Sequence, residues 1–130
     1  MTPPERIATA REGDVRLAKA RQFAEAAAVL YDENGGKADL PDAYVTQAVH
    51  AGIAAADVIC IRRLGRYSAT GSHDEAVALL TSADRSLGKH LHRLLALKTK
   101  AGYSTSHVSS SDVEMARRAH TALLLAADAR

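Results

Sequence analysis

The chain has 130 residues, 47% hydrophobic and 25% charged, which excludes a disordered polymer and suits one domain able to bury roughly two-thirds of its unfolded surface. A net charge of +2 does not mark the whole surface for nucleic acid, so any basic patch must be local. The single Cys60 excludes an internal disulfide and a cysteine-rich zinc site. Residues 1–20 are broken by Glu5, Arg6, Arg11, Glu12, Asp14, Arg16 and Lys19, unlike a signal peptide, and the most apolar run, Ala48 to Ile61, is about 14 residues where a membrane span needs about 20. The expectation is a cytoplasmic single domain, residues 1–130, that makes no membrane contact.

Along the chain, apolar residues recur at steps of three and four, and no segment alternates as a half-buried strand would. Thr2 before Pro3 and Pro4 predicts a helix start, since proline in the first turn lacks only a donor that would be unpaired anyway. Gly13-Asp14 is a candidate break. Leu17, Ala20, Phe23, Ala24, Ala27, Leu30 and Tyr31 then form one stripe that Asn34-Gly35-Gly36 ends.

Asp39 and Pro41 open a second helix that runs to Leu64 and stops at Gly65. One of its stripes is Val45, Ala48, Val49, Gly52, Ala55, Ala56 and Ile59, and another holds His50, Ile53, Asp57 and Ile61. A helix apolar on two sides belongs in the middle of a helical assembly, with Gly52 allowing close approach. Asp57, set in that apolar run, needs a partner from a neighbouring helix.

Arg66 to Gly71 reads as a loop. Ser72-His73-Asp74-Glu75 reads as a capping box launching a short helix through Leu80. A further helix from about Asp84 carries Leu87, Leu91, Leu94, Leu95 and Lys98 and ends at Gly102. Ser111 and Glu114 suggest a second capping box, followed by the stripe Val113, Ala116, His120, Leu123, Leu124 and Ala127. The predicted fold is all-α: an antiparallel up-and-down bundle of four long helices with an additional short one, dimerising through the apolar faces left over.

The chemistry-bearing residues are sparse. His90 and His92 are two apart and diverge on a helix, while His50 and Asp57 lie about 10 Å apart along the axis, so no metal site and no cofactor is expected. Arg62, Arg63 and Arg66 cluster at the end of the central helix, where they complement its dipole or contact phosphate.

Taken in order, the segments "RLAKARQFAEAAAVL", "DAYVTQAVHAGIAAADVICIRRLG", "SHDEAVALL" and "LHRLLALKTKAGYSTSHVSSSDVEMARRAHTAL" resemble the HEPN superfamily of small helical domains, from about Arg16 to Ala127. In ribonucleases of that superfamily an arginine precedes a histidine by a few residues; histidine moves the 2′-hydroxyl proton and arginine stabilises charge on the phosphate. Here the corresponding corner is Lys98-Thr99-Lys100-Ala101-Gly102-Tyr103. Lysine stands in place of the arginine and lacks its planar fork, and His107 lies nine positions beyond Lys98. Arg66 and His73, with six residues between, fit the bare spacing at another place in the chain.

The resemblance implies a non-catalytic module, associated with a nucleotide or a protein partner, in a toxin–antitoxin or defence pair with a nucleotidyltransferase. Arg62, Arg63, Lys98 and Tyr103 are its candidate nucleotide or phosphate contacts. The alternatives are a metal-independent ribonuclease toxin acting through Arg66 and His73 or through Lys98 and His107, and a helical adaptor without a nucleotide. In the non-catalytic reading, Tyr103 packs against the closing helix.

Overall fold

The computed structural model describes residues 5–69 and 72–129. It is mostly helical, with five helices and four very short strands: β1 (Glu5–Ile7), α1 (Ala10–Val29), β2 (Tyr31–Asp32), β3 (Lys37–Ala38), α2 (Pro41–Leu64), β4 (Arg66–Ser68), α3 (His73–Ala83), α4 (Gly88–Gly102) and α5 (Ser110–Asp128).

The all-α class and the extent of α2 agree with the sequence. The chain's early part differs. Thr2, Pro3 and Pro4 lie outside the described residues, and the first described element is the strand β1, paired antiparallel with β4 so that Arg6 faces Tyr67. The segment expected to be a loop after α2 is therefore the partner strand of this ribbon up to Ser68. Three residues on each side are too few to show an alternating pattern. Helix α1 starts later, at a capping box in which Thr9 accepts from the Glu12 backbone and Glu12 accepts from the Thr9 backbone.

Gly13 does not break α1. It is buried inside the helix, where a Cβ would stand 3.2 Å from Ile61, so the missing side chain lets α1 close on α2. The helix ends at Val29, and Asn34-Gly35-Gly36 turns a hairpin between β2 and β3. Asp32 accepts the Asn34 amide there, and Gly36 adopts the left-handed φ of 65°.

Helix α2 begins with Pro41 in its first turn and stops at Gly65, in the left-handed region with φ 72°. It packs against α1, α3, α4 and α5. Tyr44, Val45, Val49 and Val58 are shut away from solvent with Leu80, Leu94 and Leu123 from α3, α4 and α5. At Gly52 a Cβ would meet Leu94 at 2.2 Å and Leu123 at 3.4 Å, so three helices converge where the side chain is missing. By length and apolarity α2 could cross a membrane, but 72% of its most apolar window is buried against the other helices.

The later boundaries shift for local reasons. Ser72 caps α3 by accepting the Glu75 amide, and the helix runs beyond Leu80 to Ala83. Asp84 does not start α4. Its carboxylate accepts the Ser86 amide and hydroxyl, which holds a turn before Gly88. Helix α5 is capped by Ser109 with Asp112 instead of Ser111 with Glu114; Glu114 binds Arg117 and Arg118. Buried Tyr44 and His120 meet edge to face with centroids 6.2 Å apart, and His120 Nδ1 donates to the Ala116 carbonyl.

Candidate functional site

Arg62 and Arg63 lie in the last turn of α2, where their charge complements its dipole, and the side chains of the cluster also reach other elements. Arg62 donates to the Ala127 carbonyl in the last turn of α5 and lies 4.0 Å from Asp14. Arg63 donates to the Ala83 carbonyl at the end of α3 and to Asp84 at 2.9 Å. Arg66 donates to Glu5 at 2.6 Å and to the Leu64 carbonyl, which locks the β1–β4 ribbon. The orphan carbonyls at two helix ends thus acquire charged donors.

His107 is likewise engaged. Its Nδ1 is 2.5 Å from Asp42 Oδ2, and Asp42 Oδ1 accepts the Val108 amide at 2.9 Å. The first-turn carboxylate of α2 thereby holds the loop between α4 and α5, and the His107 hydrogen bond moves it below the usual carboxylate range. Lys100 adds a second tie across this connection, to Asp112 at 2.8 Å.

Lys98 behaves differently. It has no hydrogen bond or ion pair among the described residues. It lines a cavity of about 130 Å³ enclosed by α2, β4, α3 and α4, and it also borders a hollow of about 170 Å³ shared with His50 and Tyr103. The floor of the cavity is apolar, from Ile53, Leu91 and Leu95. Its polar groups are Asp57, Ser68, Ser72, His73 and Lys98. The Ser68 hydroxyl is buried and has no hydrogen-bond partner.

Asp57 finds the expected partner in Arg16 of α1, at 2.9 Å, and the guanidinium of Arg16 lies 4.5 Å from the centre of the Tyr67 ring. With 14% of its side chain accessible, Asp57 is poorly hydrated, and burial pushes its carboxyl up to about 6 against the opposing pull of Arg16. Beneath it, burial and the neighbouring Asp57 charge hold the Cys60 thiol up at about 12, so it is no nucleophile at neutral pH.

Neither the arginine–histidine nor the lysine–histidine pair lines one cavity together. His73 lines the cavity, whereas Arg66 borders a separate hollow with Glu5, Glu75 and Ser82. Lys98 opens onto the cavity, while His107 is tied to the α2 N-terminus. What comes together instead is one member of each pair, His73 and Lys98, with Asp57. Sequence spacing missed this grouping because α3 and α4 each deliver one residue to the same face of α2. The usable signal was Asp57 and Ile53 on one α2 stripe, four apart, opposite the Leu91, Leu95, Lys98 stripe of α4.

Tyr103 corrects an expectation. It does not pack on the closing helix but is 83% exposed, because α4 ends at Gly102 and the Tyr103 ring lies beside Thr46 and His50 on the other side. His50 itself stacks against Phe23 with centroids 5.2 Å apart. His90 keeps a buried, unpaired Nδ1 and is driven toward the neutral form by burial, and His92 is exposed. Among the described residues no three histidine, cysteine, aspartate or glutamate side chains are grouped to hold a metal ion.

Comparison with protein-family models, characterised proteins and solved structures finds no match to this chain.

Proposed function

We propose that the chain is a HEPN-like helical module that binds a nucleotide or an RNA segment without cleaving it, as one half of a toxin–antitoxin or defence pair with a nucleotidyltransferase. In this reading α1, α2, α4 and α5 form the antiparallel up-and-down bundle, α3 is the additional short helix, and the module works as a cytoplasmic homodimer. One observation carries the reading: Lys98 at the resemblance corner has no partner among the described residues and opens onto a cavity with His73, a cavity that neither Arg66 nor His107 lines. The cavity sets a histidine with a lysine rather than with the guanidinium fork that stabilises a cleaving phosphodiester, and the Asp57 carboxylate beside them repels a phosphate, which supports binding over cleavage.

The test combines binding and cleavage on the purified protein. AMP, ATP and a single-stranded RNA are titrated by NMR, and RNA integrity is followed with wild type, His73→Ala and His107→Ala. Binding that Lys98→Met weakens, with RNA left intact, is the expected result. Cleavage by wild type that either histidine variant abolishes would replace this reading with the ribonuclease; no binding of any of the three would leave the adaptor. A monomeric mass by light scattering at micromolar concentration would remove the dimer.

A further inference from the structure

We infer that the cavity between α2, α3 and α4 is a receptor for a single planar heterocycle of the nucleobase class, held between apolar walls and read along its polar edge by Asp57 and Lys98. The inference deepens the nucleotide reading above and rests on it for the choice of ligand class.

Size sets the first limit. About 130 Å³ corresponds to roughly four waters at about 30 Å³ each, below the roughly 300–1,000 Å³ of pockets that enclose drug-sized ligands. A whole nucleotide does not fit inside; one ring system with its substituent left outside is the right scale.

The walls set the second. Ile53 on α2 and Leu91 and Leu95 on α4 present aliphatic surface to the cavity. Such surface suits the face of a flat ring and gives nothing to a phosphate, which needs donors on all sides.

The polar groups set the third. Asp57 shares only one of its oxygens, Oδ2, with Arg16. Its carboxylate lining the cavity would repel an anion placed inside but accepts a ligand N–H. Lys98 has three N–H donors and no partner among the described residues. A carboxylate acceptor and an ammonium donor lining one cavity complement a base edge, where an amino or imino donor adjoins a ring nitrogen or carbonyl acceptor. A ligand phosphate would then stay outside, on the His50–Tyr103 side that Lys98 also borders.

The deciding experiment titrates the full chain with uracil, cytosine, adenine and guanine, each as the free base. The controls are 1,3-dimethyluracil, whose ring donors are methylated, and inorganic phosphate. The readout is NMR shifts of the Ile53, Leu91 and Leu95 methyl groups. At least one free base should move these signals and bind at least tenfold more tightly than dimethyluracil, and phosphate should leave them unmoved. Asp57→Asn should weaken that base at least tenfold. Because Asp57 also pairs with Arg16, a second variant, Ala76→Leu, fills the cavity from α3 and should abolish the shifts while the fold persists. Dimethyluracil binding as tightly as the best of the four free bases, or phosphate moving the methyl signals, would overturn the inference. Nucleotide or RNA binding with silent methyl groups and no free-base binding would overturn it while the nucleotide module stood. Free-base binding in the cavity with no nucleotide or RNA affinity would keep the receptor and remove that module. Comparison of the free base with a single-stranded RNA separates a small-molecule ligand from a base splayed out of a strand.

Discussion

Two regions of the helical assembly treat positive charge in opposite ways. At the C-terminal end of α2, Arg62, Arg63 and Arg66 each meet a backbone carbonyl, and two of them a carboxylate at 2.9 Å or less, so their charge closes helix ends and a ribbon. On the α2–α4 face Lys98 meets none of these and opens onto a cavity that already contains an acid. A run of basic residues in a sequence is therefore no measure of charge available to a ligand. Availability depends on which carbonyls and carboxylates the fold brings within reach, and three adjacent arginines at a helix end find them readily.

The largest effect should come from removing the packing that both regions share. Leu94 is fully buried at the Gly52 crossing of α2 and α4, and Leu94→Ala should destabilise the chain by about 2–5 kcal/mol in urea denaturation. A cost below about 1 kcal/mol would mean that the crossing is loose and the cavity wall ill-defined.

Next in size is the pH dependence carried by Asp57. Its folded carboxyl lies at about 6, above the ordinary value of 3.8, so between those values the folded chain holds a proton that the unfolded chain has released. The contribution is fully present below about pH 4 and is lost as pH rises through about 6, amounting to roughly 2–3 kcal/mol at about 1.4 kcal/mol per unit. Asp57→Asn, which keeps no charge to desolvate, should therefore gain stability relative to wild type between pH 4 and pH 7. A constant difference across that range would show Asp57 to be better hydrated than its burial indicates. Buried His120 acts in the opposite direction. Burial lowers its folded value, so its contribution is present above about 6.5 and falls away on acidification.

The contrast between the two cation sites predicts smaller, separable effects. Arg62→Ala leaves the last turn of α5 without its charged donor and should cost about 1–3 kcal/mol with ligand binding unchanged. Lys98→Met keeps the stem against the cavity wall, should change stability by less than about 0.5 kcal/mol, and should weaken the ligand. Loss of stability in both, or of binding in both, would erase the distinction between the regions.

Much of the fold was legible because helix α2 states itself: proline in the first turn, glycine after the last, and two apolar stripes between. The demand that Asp57 be paired was legible too, since a carboxylate within such a run must find a cation, and Arg16 supplies it. The ribbon was hidden because β1 and β4 are three residues each and lie about sixty residues apart, a pairing that no local pattern encodes. The true cap of α5 was hidden by three consecutive serines, of which only the geometry selects Ser109. The cavity was hidden for a deeper reason. Spacing along the chain pairs His73 with Arg66 and Lys98 with His107, whereas the packing of α3 and α4 on α2 groups residues by helix face.

The smallest effect should be at Tyr103, and it tests the corner where the resemblance to a nuclease family lacks the arginine–histidine pair. A ring packed on the closing helix would cost about 3–5 kcal/mol to remove. Tyr103 is instead 83% exposed beside His50, and its backbone amide caps α4 through the Thr99 carbonyl, a contact that needs no side chain. Tyr103→Ala should therefore shift stability by no more than about 0.5 kcal/mol. If a nucleotide occupies the neighbouring cavity with its phosphate outside, the same change should weaken nucleotide but not free-base affinity, because the ring borders only the outer hollow. Denaturation of the variant beside titrations with AMP and with the free base checks both halves. A large stability loss would place the ring in a packed position, and an equal loss of both ligands would place it at the cavity itself.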